Sequence, residues 1–106
     1  MGRWVDVAAE GEIPPGRCRV VDLAEERVAV YHIDGRYYAI QDLCTHDYAP
    51  LDGGRVEGDE VICPRHGARF CLRTGAVLAP PAYEDLRTFE VRVHEGRIQV
   101  YDEDAA

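Results

Sequence analysis

The chain has 106 residues and a formal net charge of −8. That length allows one small domain, residues 1–106, with a modest hydrophobic core. The acidic balance argues against nucleic acid as a partner, because nucleic-acid binding needs a basic face. No run is apolar and long enough for a signal peptide or a membrane span, so we expect a cytoplasmic protein without membrane association.

Alternation of apolar and polar residues, interrupted at short intervals by Gly-containing turns, predicts an all-β antiparallel fold. Trp4 is expected to anchor the core, and the acidic tail 102–104 is expected to fray. Residues 42–54 and 64–82 are expected to be irregular. The expected strands cover residues 3–8, 17–22, 27–33, 36–40, 55–56, 61–63, 86–94 and 97–101.

Three pairs of these strands are separated by short turns and are predicted to be hairpins. Asp34-Gly35 is a strong hairpin signal, because a type I′ turn needs positive φ at both central residues. Residues 57–60 and Glu95-Gly96 separate the other two pairs. In the last hairpin we expect four buried residues, namely Val91, Val93, Ile98 and Val100.

Two Cys–His pairs carry the chemistry: Cys44-x-His46 and Cys63-x-x-His66, separated by residues 47–62. Thiolates with imidazoles suit zinc or iron–sulfur chemistry and disfavour hard cations. A structural zinc site uses two Cys and two His together, whereas a Rieske-type [2Fe–2S] cluster has two Cys on one iron and two His on the other. The short, uneven spacing favours the cluster, because closed zinc sites usually have longer spacings.

The remaining Cys and His residues need no role in such a site. Cys18 alternates with Val20 and is expected to be a small buried hydrophobe. Cys71 is expected to be a free bystander in a reducing compartment. His32 and His94 lie next to hairpin turns, and His94 is expected to face solvent.

From Asp42 onward the chain resembles Rieske ferredoxins, the small electron carriers that serve multicomponent aromatic-ring dioxygenases. The resemblance implies an antiparallel β-sandwich or barrel with a small cluster-binding β subdomain, here roughly residues 42–82, inserted between hairpins. The residues that carry the resemblance are Cys44-Thr45-His46, Ala49-Pro50-Leu51, Cys63-Pro64-Arg65-His66-Gly67-Ala68-Arg69-Phe70, Thr74-Gly75 and Pro80-Pro81.

The resemblance also implies a role for each matching residue. Cys44 and Cys63 would hold the inner iron of a [2Fe–2S] cluster, and His46 and His66 would hold the outer iron with their imidazole edges toward solvent. Pro80-Pro81 would form a third loop. The protein would then be a one-electron carrier and not an enzyme, linking a flavin-dependent reductase to a terminal oxygenase.

Respiratory relatives have an extra Cys in each ligand loop, and Ser and Tyr hydroxyls aimed at cluster sulfurs. Arg65, Ala68 and Phe70 stand at the corresponding positions of the second loop, so we expect a potential at the low end of the Rieske range, roughly −150 to +300 mV. Arg65 and Tyr48 are expected on a docking rim around the two histidines. The alternatives are a small subunit of another reductase, such as nitrite reductase, and a zinc-stabilised structural module.

Overall fold

The structure, a computed structural model, describes residues 1–105, and in that range it contains strands, turns and loops but no helix. No helix in this range could therefore cross a membrane. The all-β prediction is confirmed. The strands are β1 (Arg3–Ala9), β2 (Cys18–Asp22), β3 (Arg27–Ile33), β4 (Arg36–Gln41), β5 (Val56–Glu57), β6 (Glu60–Ile62), β7 (Arg69–Cys71), β8 (Val77–Ala79), β9 (Thr88–Phe89), β10 (Val91–His94) and β11 (Arg97–Asp102).

The strands form three antiparallel sheets. The terminal sheet has the order β1-β11-β10, the central sheet β2-β3-β4-β9, and the inserted sheet β5-β6-β7-β8. In sequence, the inserted sheet lies between β4 and β9, which are neighbours in the central sheet. A small β subdomain is therefore inserted into a larger antiparallel framework, as the resemblance implied.

Both faces of the central sheet are buried. Val28 and Val30 in β3 face a core shared with the terminal sheet, whereas Tyr31 faces a core shared with the inserted sheet. All three are at most 1% exposed, as expected for a strand covered on both sides. The core shared with the inserted sheet includes Cys44 and Cys63, so both Cys–His pairs are attached to the hydrophobic interior.

Two expectations about the second half of the chain are wrong. The expected continuous strand over residues 86–94 is two strands, because β9 pairs with β4 and β10 pairs with β11. The chain changes sheets at Glu90. Residues 64–82 are not irregular throughout, since β7 and β8 lie within them. Each of these strands has only three residues, which is too short for a period of two to be recognised.

Trp4 and Val93 were expected in the core and lie outside it. The Trp4 ring is half-buried, packs edge-on against Tyr101 at 5.2 Å between centroids, and lies 4.2 Å from the Arg92 guanidinium. These side chains share the outer face of the terminal sheet. Val93 is 44% exposed because β10 is an edge strand. The other residues expected in the core of this hairpin are fully or partly buried, namely Val91, Ile98 and Val100.

The acidic tail is held against the fold, contrary to the expectation that it frays. Asp102 ends β11, is 4% exposed, and accepts a hydrogen bond from the Ala24 N–H at 2.9 Å. Glu103 and Asp104 form ion pairs with Arg87. The partners lie far away along the chain, so no local pattern could reveal them.

Candidate metal centre

The two Cys–His pairs lie in two loops with the same backbone shape, the first at residues 44–49 and the second at 63–68. In each loop the cysteine N–H donates to the carbonyl of the fifth residue after the cysteine. The cysteine carbonyl accepts a hydrogen bond from the N–H of the fourth residue after it. The bonds are Cys44 N to Ala49 O and Cys63 N to Ala68 O, both 2.7 Å, with Tyr48 N to Cys44 O at 2.7 Å and Gly67 N to Cys63 O at 3.1 Å.

A third loop, which contains the Pro80-Pro81 pair, lies beside the first Cys–His loop. The Thr45 hydroxyl donates to the Glu84 carbonyl at 2.8 Å. The Leu86 N–H donates to the Gly75 carbonyl at 2.7 Å, which ties the end of the third loop to the turn between β7 and β8. The expectation of a proline-containing third loop next to the site is consistent with this placement.

The thiols of the site are buried and its imidazoles are exposed. Cys44 and Cys63 are 0% and 2% exposed. The rings of His46 and His66 are exposed, nearly perpendicular at 87°, and 5.0 Å apart between centroids. The two sulfur atoms lie within 4.8 Å of each other and of a carboxylate oxygen of Asp47, and ring nitrogens of the two histidines satisfy the same limit. The structure thus brings together all four residues that the sequence singled out.

Two ionisable groups of the site, the Cys44 thiol and the Asp47 carboxyl, have pKa values shifted in opposite directions. Burial raises the pKa of the Cys44 thiol, and a bound cation reverses that effect because the thiolate is the ligand. Hydrogen bonding from the Ala49 N–H holds the pKa of Asp47 below its usual range, and Arg65 and His66 lower it further. The Asp47 Oδ2 atom lies 3.1 Å from Arg65 Nε and 3.4 Å from His66 Nδ1.

Sequence reasoning missed two carboxylates that belong to this region. Asp47 directly follows His46, and that adjacency is the signal that could have found it. The Asp42 side chain is fully buried, accepts a hydrogen bond from the Leu51 N–H at 2.8 Å and pairs with Arg27 at 2.8 Å. The bond between Asp42 and Leu51 joins the two ends of residues 42–51, the segment that carries the first Cys–His loop. No local pattern marks it, because Arg27 lies on another strand.

The remaining cysteines and histidines lie outside the groups of metal-ligating side chains found among residues 1–105. Cys18 is half-buried, with its Sγ 3.9 Å from the Asp52 carbonyl, and Cys71 is half-buried at the end of β7. All four cysteines are free. His94 is exposed as expected, and His32 Nδ1 lies 2.8 Å from the Ile13 carbonyl.

Two buried thiols beside two exposed imidazoles fit a cluster whose two irons have different ligands, although a four-coordinate zinc accepts the same donors. Fold and site together define a small all-β protein with a mixed thiolate–imidazole metal centre that is open on its histidine side. Residues 3–90 match the family model of the Rieske [2Fe-2S] domain, and the chain belongs to this family. Its metal group is therefore a [2Fe–2S] cluster and not zinc.

Relatives and solved structures agree with this assignment. The biphenyl dioxygenase ferredoxin subunit of Pseudomonas sp. strain KKS102 is 40% identical, over 86% of this chain and 84% of its own length. A chain in the solved complex of reduced oxygenase and oxidised ferredoxin in carbazole 1,9a-dioxygenase has a TM-score of 0.90 and 36% identity, covering 97% of this chain and 96% of its own.

A third similar structure comes from a different kind of system. A Mycobacterium tuberculosis protein described as the small subunit of an NADH-dependent nitrite reductase has a TM-score of 0.87 and 26% identity, covering 99% of both chains. The dioxygenase relatives are electron-transfer components of their systems. This chain is likewise an electron carrier and not a catalytic subunit.

Proposed function

We propose that this protein is the ferredoxin of an aromatic-ring dioxygenase system. It takes one electron at a time from a flavin-dependent reductase and passes it to a terminal oxygenase. The observation that carries the proposal is the exposed pair of imidazoles, His46 and His66, next to two buried thiols. Such a centre can exchange electrons at its histidine edge while the cysteine side stays inside the protein. The biphenyl and carbazole relatives support this class of partner.

Within this proposal the four residues of the two Cys–His loops are the cluster ligands. Cys44 and Cys63 would hold one iron, and His46 and His66 would hold the other. The bound cluster supplies reversible one-electron transfer. The chain contributes the frame: the backbone bonds of each loop fix the four side chains, the core around the cysteines excludes water, and the imidazoles face the partner.

The ligand assignment is tested with matched cysteine variants. Cys63→Ser should abolish the red-brown colour and the iron content, whereas Cys71→Ser, at the half-buried cysteine outside the site, should keep both. After reduction with dithionite, the unmodified protein should give an electron paramagnetic resonance signal whose average g lies below that of four-cysteine [2Fe–2S] ferredoxins. A fully loaded Cys63→Ser protein would contradict the assignment.

Arg65 and Tyr48 form the docking rim in this proposal. The Arg65 side chain is 64% exposed and Tyr48 is 71% exposed, and they belong to different Cys–His loops. They therefore flank the imidazoles through which the electron leaves. Arg65→Glu should weaken binding of the protein to the oxygenase by about tenfold, as expected for reversing a charge at a docking rim. An unchanged affinity would remove Arg65 from the docking surface.

A low reduction potential is also part of the proposal. Ala68, which ends the second Cys–His loop, and Phe70 in β7 are fully buried and carry no hydroxyl that could donate to a cluster sulfur. Such hydrogen bonds raise the potential of iron–sulfur centres. We expect a midpoint near the low end of the roughly −150 to +300 mV Rieske range. Spectroelectrochemical titration measures it, and a midpoint well above zero would contradict the expectation.

We also infer that residues 1–106 act as one domain in the cytoplasm. The first strand, β1, pairs with the last strand, β11, and this pairing supports a single folded unit. Cys18 and Cys71, the two cysteines outside the proposed ligand set, form no disulfide, which suits a reducing compartment.

A second candidate function, a small subunit of a nitrite reductase, is favoured by the end-to-end similarity to the M. tuberculosis protein. The two functions are separated by mixing the reduced protein with a biphenyl-type terminal oxygenase or with a nitrite reductase catalytic subunit. We expect stoichiometric reoxidation by the oxygenase in the presence of oxygen and aromatic substrate. Reoxidation by the nitrite reductase alone would overturn the dioxygenase proposal.

A further inference from the structure

The Asp47 carboxylate lies close to both ligand pairs. One of its carboxylate oxygens is within 4.8 Å of both cysteine sulfurs, and an oxygen of the same group is within 4.8 Å of ring nitrogens of both histidines. Its Oδ2 atom is buried and has no hydrogen-bond partner that meets normal geometry. No other acidic side chain among residues 1–105 meets that distance limit with both ligand pairs.

Two groups outside the ligand set help to position Asp47, whose Oδ2 atom also lies 3.4 Å from His66 Nδ1. Its Oδ1 atom accepts a hydrogen bond from the Ala49 N–H at 3.2 Å, within the first Cys–His loop. Arg65 Nε lies 3.1 Å from Oδ2 and comes from the second loop. The side chain is only 19% exposed, so water screens its charge weakly. The carboxylate is therefore fixed from both loops, beside the centre.

We propose that Asp47 is an electrostatic tuning residue that lowers the reduction potential of the cluster, and that Arg65 offsets part of its effect. The inference rests on the proposed ligand set. One electron from the reductase would add one negative charge to a bound cluster, with no bond made or broken. A carboxylate this close disfavours the added charge, and a guanidinium paired with that carboxylate favours it.

In this role Asp47 acts only through the reduction potential of the cluster. A centre held at lower potential passes its electron more readily to the acceptor and accepts it less readily from the reductase. Neither effect requires contact between Asp47 and a partner protein. Removal of the Asp47 charge and removal of the Arg65 charge should therefore shift the potential in opposite directions, which a purely structural role does not predict.

The test is the midpoint potential of cluster-loaded variants, measured by spectroelectrochemical titration near neutral pH. Asp47→Asn removes the charge and keeps the acceptor for the Ala49 N–H. We expect its equilibrium constant for reduction to rise about tenfold, a positive shift of about 59 mV for a one-electron couple. Arg65→Gln should shift the potential in the negative direction.

The matched control is Glu10→Gln, which removes an exposed carboxylate in the turn that follows β1 and should leave the potential unchanged. If Asp47→Asn loads poorly, Asp47→Ser provides a second uncharged variant with a hydroxyl acceptor. High salt should reduce the potential shift of Asp47→Asn only slightly, since a mostly buried charge is weakly screened.

A shift in Asp47→Asn no larger than in Glu10→Gln, or a shift of the same sign in Asp47→Asn and Arg65→Gln, would overturn the inference. Its failure is distinct from failure of the proposed function. If the variants give the histidine-ligated resonance signal and the Cys63→Ser protein is unloaded, the ligand set stands even when the potential does not move. If Cys63→Ser stays loaded, the ligand set itself is wrong.

Discussion

Asp42 and Asp102 are buried carboxylates that join segments distant in sequence. Asp102 accepts from the Ala24 N–H and so holds the end of β11 against the turn that follows β2. Asp42 accepts from the Leu51 N–H and pairs with Arg27. Removal of the Asp42 carboxylate would leave the Leu51 N–H unsatisfied inside the protein, and that loss is costly.

Asp42→Ala should therefore lower the free energy of unfolding by about 2–3 kcal/mol, because a buried donor loses a charged acceptor. The loaded protein should also release its cluster faster, since Asp42 closes the segment that carries Cys44 and His46. Urea denaturation and the loss of visible absorbance measure the two effects. Asp52→Ala is the matched control: Asp52 also pairs with Arg27, at 3.6 Å, but its side chain is 36% exposed. Equal losses in the two variants would contradict the assigned role.

Tyr48 combines an exposed ring with a strained backbone. Its φ is +62°, whereas the corresponding position of the second Cys–His loop is Gly67, with φ of +78°. A non-glycine residue in this region costs about 1 kcal/mol. A tyrosine that is 71% exposed contributes little to the core in return. This combination suggests that its ring is retained for contact with a partner.

Two substitutions separate strain from contact at Tyr48. Tyr48→Ala removes the ring and keeps the strain, and Tyr48→Gly removes both. Both variants should slow electron transfer to the oxygenase by a similar factor. Tyr48→Gly should be about 1 kcal/mol more stable than Tyr48→Ala, because glycine adopts positive φ without steric cost. Stopped-flow reoxidation and urea denaturation measure these effects. Normal transfer rates in both variants would exclude Tyr48 from the docking rim.

Among the structural elements, the hairpins were the most predictable. Asp34-Gly35 and Glu95-Gly96 both have positive φ at their two residues, which is the backbone of a type I′ turn. The turn residues act locally, so the sequence contains the necessary information. Sheet order depends on pairing between distant strands. The division of residues 86–94 between two sheets was accordingly missed.

The connection from the first Cys–His loop to β5 depends on close backbone packing at Gly54. A Cβ atom there would lie 2.0 Å from the Ile62 carbonyl, whereas a Cβ at Gly53 would meet nothing within 4 Å. Gly54→Ala should lower the free energy of unfolding by about 2 kcal/mol or more, as expected for overpacking against rigid backbone. Gly53→Ala should change it by less than about 1 kcal/mol. Denaturation of both loaded variants checks this, and similar stabilities would contradict it.

At the scale of the whole molecule, two cores lie on opposite faces of the central sheet. The core toward the terminal sheet is made of aliphatic side chains such as Val28, Ile98 and Val100. The core toward the inserted sheet contains Cys44 and Cys63. Since β5 to β8 have at most three residues each, only two or three residue pairs join each strand of the inserted sheet to its neighbour. We infer that its stability depends more strongly on the metal than that of the terminal sheet.

Removal of the cluster should therefore destabilise the molecule unevenly. Amide hydrogen exchange of the apoprotein should show loss of protection in the inserted sheet and the two Cys–His loops, while the pairing of β1 with β11 stays protected. Mass spectrometry of peptides from loaded and apoprotein measures the difference. Uniform loss of protection would show that the metal stabilises the whole fold as one cooperative unit.

The sequence by itself determined the fold class, the hairpin turns and the four residues of the proposed ligand set. These features depend on local patterns: alternation sets the strands, positive-φ residues set the turns, and two Cys–His pairs at short spacing identify the chemistry. The [2Fe–2S] group also followed from the sequence, through the residues around Cys63 that match the family.

Only the tertiary structure decided which side chains lie around that centre. Asp47 lies close to both ligand pairs because the two Cys–His loops come together in space. Asp42 can be buried because Arg27, from β3, pairs with it. The ordered acidic tail and the outward-facing Trp4 have the same origin. Each depends on contacts between segments far apart in sequence, and the energy of such contacts appears only when the chain is folded.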